Sequence, residues 1–208
     1  MIIHNVEQGT DEWLRLRAGK PTASEFSKLI TSTGAASKSM PGYAEQLGGE
    51  LFAGQPLDAW EGNKYTDRGH EIEEEAALWY DIVKGITTDK VGFVTDDNEQ
   101  YGCSPDRLVS DTGLLEIKCY PKLHIEAIRY CNKNKKMPAK NVAQTQGQMF
   151  ICEREWCDLL FYHPVLPKVI IRVFPDKEII AGLKAQLSAC LAERDTVLNE
   201  LQGIQEGL

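Results

Sequence analysis

Apolar residues recur along the chain with two periods, and the alternation between them lays out the elements. Over about 64–84, Ile72, Ala76, Trp79, Tyr80 and Val83 fall at helical spacing, which predicts one long helix. The tail from about 176 to 203 carries Ile180, Leu183, Leu187, Leu191, Leu198 and Leu201 on one stripe and reads as an amphipathic helix. Shorter helices are predicted at 10–18, capped by Thr10, and at 22–31, where Thr22 and Glu25 form a capping box. Further helices are predicted at 42–53, at 121–131, and from near Pro138 through 152. The Ser/Gly/Ala-rich stretch 32–42 reads as a mobile loop. Strands are predicted at 89–95, 100–109, 113–119, 157–163 and 168–174. The second and third form a hairpin through the turn at Ser110–Gly113. This order predicts an α/β fold: a mixed central β-sheet flanked by helices. No linker divides the chain, so one domain over 1–208 is expected. Its N-terminal part is helical to about 85, the sheet spans about 86–175, and a helix closes the chain.

The 208 residues are 42% hydrophobic and 26% charged, an ordinary soluble composition. No apolar run approaches the roughly 18 residues of a membrane span, and the N-terminus lacks the pattern of a secretory signal, so a cytosolic protein is expected. Six cysteines are irregularly spaced with no CxxC pair. That disfavours a disulfide framework, a zinc ribbon and an iron–sulfur cluster. The net charge of −8 does not by itself suggest a nucleic-acid partner. The charges are segregated, however. RYCNKNKKMPAK at 129–140 holds Arg129, Lys133, Lys135, Lys136 and Lys140 with no acid among them, whereas HEIEEE at 70–75 is strongly acidic. Such segregation suits a surface that grips a phosphate backbone beside bound cations.

The chemistry concentrates in SPDRLVSDTGLLEIK, residues 104–118. Side chains alternate along a strand, so Glu116 and Lys118 share one face roughly 7 Å apart, while Leu115, Ile117 and Cys119 point into the core. The hairpin brings Asp106 alongside them. Two converging carboxylates make a hard-oxygen site suited to Mg²⁺ or Mn²⁺, and a lysine beside it is placed either to stabilise charge or to help deprotonate the nucleophile in phosphodiester hydrolysis. Charged residues alternating on a half-exposed strand are common, and three further features raise the weight of this reading. Glu73 lies on the long helix after Gly69, with His70, read as an ordinary partly buried histidine, one turn before it. Gln144 and Gln148 stand one helical turn apart on one face. Arg17, with Thr22 and Ser24 at a helix start, makes a sound phosphate pocket.

The blocks VEQGTDEWLRLRAGKPTASEF, RGHEIEEEA, CSPDRL, LLEIKC and AQTQGQM, in this order, resemble the lambda-exonuclease (YqaJ-type viral recombinase) family of the PD-(D/E)xK nuclease superfamily. The resemblance runs from about residue 6 to 174. It implies a restriction-endonuclease-like core and a Mg²⁺-dependent 5′→3′ exonuclease on double-stranded DNA that releases mononucleotides and leaves a 3′ overhang. It further implies that Asp106, Glu116 and the carbonyl of Ile117 hold Mg²⁺, two ions per site with Mn²⁺ able to substitute, and that Glu73 completes the ligand set. Lys118 is the implied catalytic lysine, with Gln144 beside it. Arg17 matches the residue that holds the 5′-phosphate, and Thr22, Ser24 and Ser104 would bind backbone phosphates. A ring-shaped homotrimer acting on duplex ends, and a single-strand annealing protein that takes the overhang, complete what the resemblance implies. The chain departs from the family in KYTDRG: Thr66 is no apolar wedge between strands, and Tyr65 or a loop residue would take that part. Two alternatives remain: a related endonuclease or junction resolvase, which would cut a closed circular duplex, and a DNA-end-binding module without catalysis, against which the intact Asp, Glu, Lys set counts.

Overall fold

Proline breaks the strand that the sequence pattern predicts over 100–109. Pro105 has no N–H to give a ladder, and the chain around it passes from one sheet to another. In the computed structural model, which describes residues 1–57, 64–120 and 124–207 with the side chains of 64–70 left out, there are two sheets rather than one. A three-stranded antiparallel sheet runs in the order β1 (Ile2–His4), β2 (Phe93–Thr95), β3 (Gly102–Cys103). A four-stranded mixed sheet runs β4 (Arg107–Val109), β5 (Gly113–Lys118), β6 (Trp156–Phe161), β7 (Val169–Val173). The predicted hairpin is present, with Val109 opposite Gly113 and Arg107 opposite Leu115. β5 and β6 are parallel, the connection between them being the helical crossover that parallel neighbours require. β1 is an addition to the expected elements: three residues are too few to show an alternation.

Among the described residues six α-helices surround the sheets: α1 (Asp11–Arg17), α2 (Met40–Ala53), α3 (Lys64–Lys84), α4 (His124–Asn134), α5 (Val142–Ile151) and α6 (Lys177–Glu206). α1 is capped as expected, the Thr10 hydroxyl accepting from the Trp13 N–H. The capping box at Thr22 does not form. Residues Ala23–Lys28 make a 3₁₀ helix, and the Thr22 hydroxyl turns instead toward Arg17 and Ser24. The stretch 32–42 is shorter as a loop than expected, since Ile30 bridges to Ala36 and α2 starts at Met40. Tyr65, Thr66 and His70 fall outside the described side chains. None of the described helices is long and apolar enough to cross a membrane.

Three apolar clusters fix where the elements sit. The largest joins Phe26, Leu29, Leu47, Met149, Leu183 and Leu187 with Val94 and Cys103 of the three-stranded sheet and Leu114 and Cys157 of the four-stranded one, so α2, α5 and α6 are tied to both sheets. α3 covers one face of the four-stranded sheet, with Ala76 and Tyr80 against Leu115, Ile117 and Leu160. α4 covers part of the opposite face, with Ala127 and Cys131 on Leu159 and Phe161. Full burial of each large apolar side chain contributes about 1.5–3 kcal/mol. α3 is also pinned by chemistry: the Tyr80 hydroxyl donates to buried Asp158 at 2.7 Å, and Arg172 grips that carboxylate with two nitrogens at 2.8 and 2.9 Å.

The turn after α1 is held from far along the chain. Gly19 adopts φ +71, its N–H donates to Glu50 of α2 at 3.0 Å, and its carbonyl accepts from buried Arg194 of α6 at 3.0 Å. A Cβ there would stand 2.4 Å from Leu51 Cγ, whereas one on Gly54, at φ +65, would meet open space. The strain of a left-handed residue, about 1–3 kcal/mol, is common to both positions. Overpacking adds about 1–3 kcal/mol at Gly19 alone. Gly19→Ala should therefore lose clearly more stability in urea unfolding than Gly54→Ala, and equal losses would show that the turn tolerates a side chain.

Candidate active site

β5 lies between β4 and β6 in the sheet, and its alternation presents Glu116 and Lys118 on the face that α5 covers, while Leu115 and Ile117 pack beneath α3. Glu116 is only 3% exposed, so its charge needs partners. It has three. Oε1 accepts from Lys118 Nζ at 2.6 Å and from Gln144 Nε2 at 2.6 Å, and Oε2 accepts from Gln148 Nε2 at 2.6 Å. Lys118 also donates to Gln144 Oε1 at 3.0 Å. One turn of α5 thus closes a ring of hydrogen bonds with one strand. The sequence shows Gln148 only as the helical neighbour of Gln144; here it is an equal partner of the carboxylate, and its own Oε1 is buried with no hydrogen-bond partner among the described residues.

Asp106 follows the bend at Pro105 and reaches across the hairpin, where the Ile117 N–H donates to its Oδ2 at 2.5 Å. Its carboxyl is pushed well above the usual range by burial and then by the charges of Glu116 and Glu73. Glu73, on the described part of α3, has Arg107 Nη1 at 3.8 Å. Arg107, next in sequence to Asp106, is buried. It donates to the Asp106 carbonyl at 2.6 Å and binds Glu74 at 2.6 Å, tying the site strand to the acidic helix. Burial works against the Lys118 ammonium, but Glu116 and Asp106 outweigh it and push its pKa up. In this structure Lys118 is a hydrogen-bond donor to Glu116 and Gln144. The structure brings Asp106, Glu116, Lys118, Gln144 and Glu73 into one neighbourhood.

The donor set fits a hard divalent cation. Carboxylate and peptide oxygens are what Mg²⁺ takes, and it is ordinarily held by one or two carboxylates while waters and substrate phosphates supply the rest. Among the described residues no three His, Cys, Asp or Glu side chains are grouped so as to hold a metal ion by themselves. Asp106, Glu116 and the Ile117 carbonyl would hold the ion, with Glu73 nearby.

A second cluster forms beside α1. Arg17 Nη2 lies 3.3 Å from Thr22 Oγ1 and 3.5 Å from Ser24 Oγ. Burial lowers the Arg17 pKa, yet a guanidinium stays charged. Its Cζ lies over the ring of Trp13, 3.9 Å from the ring centre, and the indole N–H of Trp13 donates to Ser104 Oγ at 2.9 Å. Trp13 therefore touches Arg17 and Ser104, while Arg17 reaches Thr22 and Ser24; sequence reasoning missed Trp13, and its position four residues before Arg17 on a helix was the available signal. The adjoining cleft, about 270 Å³, is lined by Arg17, Lys20, Thr22, Lys28 and Tyr43 among others. Ser104 is two residues from Asp106, so the bend at Pro105 links the two clusters.

A family model for the YqaJ-like viral recombinase domain matches residues 12–155. Among solved structures, an alkaline exonuclease, LHK-Exo from Laribacter hongkongensis, is similar with a TM-score of 0.81 and 33% identity over 95% of this chain and 99% of that one. The structure of LHK-Exo in complex with dAMP gives 0.80 at the same identity and coverage. A phage related exonuclease from Haemophilus somnus 129PT shares the fold, with a TM-score of 0.65 and 21% identity over 88% of this chain and 96% of that one. Comparison with curated protein sequences gives no match.

Crowding of Asp106 by Glu116 and Glu73 has a measurable cost in the metal-free protein. A carboxyl whose pKa is raised in the folded state contributes stability while protonated and loses it as pH rises through that value. Asp106→Asn should therefore melt above the parent near neutral pH in chelator, by about 2–4 °C for each kcal/mol of relieved repulsion. The gap should shrink as the pH is lowered into the range where Asp106 is protonated. A variant that melts lower at neutral pH would refute the crowding.

Proposed function

Because this chain belongs to the YqaJ-like viral recombinase family, whose members act on DNA as nucleases, we propose that it is a Mg²⁺-dependent exonuclease. It degrades duplex DNA from 5′ to 3′, releases 5′-mononucleotides and leaves a 3′ overhang. The observation that carries the reading is the linkage of two clusters through Ser104–Pro105–Asp106. A pocket for a terminal phosphate and a carboxylate–lysine centre for hydrolysis stand on either side of one bend. An enzyme that must find an end before it cuts needs both, at a fixed separation.

In this reading Arg17 receives the 5′-phosphate, and the hydroxyls of Thr22, Ser24 and Ser104 complete its hydrogen bonds. Trp13 keeps the guanidinium in plane. Asp106, Glu116 and the Ile117 carbonyl hold the metal, with Glu73 at hand. When bound, Mg²⁺ (with Mn²⁺ as a substitute, and two ions per site) supplies the charge that polarises the scissile phosphodiester and makes water a better nucleophile near neutral pH. Lys118, kept as an ammonium, offers its protons to the charge that grows on the phosphoryl oxygens. Gln144 and Gln148 hold Glu116 in place. The 3′-oxygen of the departing nucleotide is the leaving group. Assembly as a ring of three copies would find apolar surface at the exposed Leu78, Ile82, Val83 and Ile86, and a single-strand annealing protein would take up the overhang.

Linear duplexes labelled at either 5′ or 3′ ends, with and without Mg²⁺, test the reading. Mononucleotide release from the 5′ label first, only with metal, is the expected result; release from the 3′ label first, or cutting of a covalently closed circle, would overturn it. Asp106→Ala should abolish cleavage. Removing one charge-assisted hydrogen bond, about 1.5–3 kcal/mol, should lower kcat/KM of Arg17→Ala about 10- to 100-fold on 5′-phosphorylated ends. The same variant should change little on 5′-hydroxyl ends, and an equal fall on both would remove Arg17 from the phosphate pocket.

A further inference from the structure

Between Glu126 and Glu153 the chain has no Asp or Glu, although its net charge is −8. That interval holds Arg129, Lys133, Lys135, Lys136 and Lys140, all exposed. Among the described residues none of the five forms an ion pair with a carboxylate. Lys135 donates to Asn132, and Lys140 lies 4.1 Å from the centre of the Tyr120 ring. The one carboxylate of α4, Glu126, sits in its first turn, while Lys133 sits in its last. An open hollow of about 620 Å³ is lined by Arg129, Tyr130, Asn132, Lys133 and Asn134.

The fold places this surface on the working side of the sheet. Glu116 is in register with Leu159, and Lys118 with Phe161, so the four share a face. α4 packs on Leu159 and Phe161, beside the strand that carries Glu116 and Lys118. Lys140 and Tyr120 bridge the interval, since Tyr120 is two residues from Lys118 and its ring lies against Phe161. Arg129 and Lys133 lie on α4, Lys135 and Lys136 follow its end, and Lys140 stands against Tyr120, two residues from Lys118, so the five cations make a basic track on this side of the sheet.

We propose that this track binds the sugar-phosphate backbone of duplex DNA away from the terminus being cut. The inference rests on the nuclease reading and deepens it, because it assigns the grip on DNA to residues that take no part in hydrolysis. Unpaired lysines and an arginine suit phosphates without regard to sequence. A single-strand groove would instead need a succession of aromatic platforms, and Tyr130 is the one exposed aromatic ring on α4. Since the bases are not read, the track adds affinity and salt dependence but no sequence preference.

The test is a triple variant, Lys133→Gln, Lys135→Gln and Lys136→Gln, beside the matching Lys→Arg triple. Binding of a 30-base-pair duplex is measured over a series of salt concentrations in chelator, where no cleavage occurs. The slope of log affinity against log salt falls by about 0.9 for each phosphate that is no longer neutralised. The Gln triple should therefore bind with a slope shallower by about 3, and the Arg triple should keep the parent's. Cleavage of a minimal duplex, too short to reach α4, should be unchanged in both, and that of a long duplex should fall in the Gln triple. An unchanged slope would overturn the proposal and point to an acidic protein as the partner of this surface. Equal loss on short and long duplexes would also overturn it, by placing the lysines at the cleavage site. If the parent protein itself releases no nucleotides with Mg²⁺, the nuclease reading fails, while the salt slopes still judge the track.

Discussion

A buried carboxylate held by three donors from two elements is the constraint on which the rest of this structure depends. Glu116 would be costly where it sits without Lys118, Gln144 and Gln148. The same bonds fix the rotation of α5 over β5, because only one helical face carries both glutamines. They also set the state of Lys118, whose charge is maintained by the carboxylates around it. Packing and chemistry are thus one arrangement: a different register of the helix would undo the core cluster around Met149 and scatter the polar groups together.

The cluster around Arg17 follows a different logic. Its residues are short or rigid, and they are positioned by neighbours from outside α1 as well as within it: Trp13 from beneath, Ser104 from the bend, and Glu50 and Arg194 on the peptide of Gly19. The carboxylate cluster is crowded with like charge that a cation would relieve, whereas the Arg17 cluster holds a half-buried guanidinium that an anion would relieve. Two sites of opposite electrostatic need joined by three residues suit a substrate that is itself a polyanion approached by metal.

Much of this is legible in the chain because local rules agree with the global fold. The period of α3, the Ser110–Gly113 turn and the spacing of Gln144 and Gln148 each need only neighbours to be read. The failures share a cause. Apolar alternation over 100–109 continues through Pro105, but the hydrogen-bond ladder cannot. The capping box at Thr22 fails because a guanidinium from the preceding helix competes for the hydroxyl. β1 gains strand character only by pairing with β2 some ninety residues later. Trp13 looks like an ordinary amphipathic anchor until its ring face and its N–H find partners. Tertiary pairing decides each of these, and a local pattern does not contain it.

The support of Gly19 by Arg194 has a consequence for how a distant change is felt. The turn that follows Arg17 hangs on a guanidinium 175 positions further along the sequence. A substitution that shifts α6 at Arg194 therefore pulls on the peptide two residues from Arg17. The far helix is a tether, and slackening it would loosen the Arg17 cluster while leaving Glu116 and Lys118 where they stand.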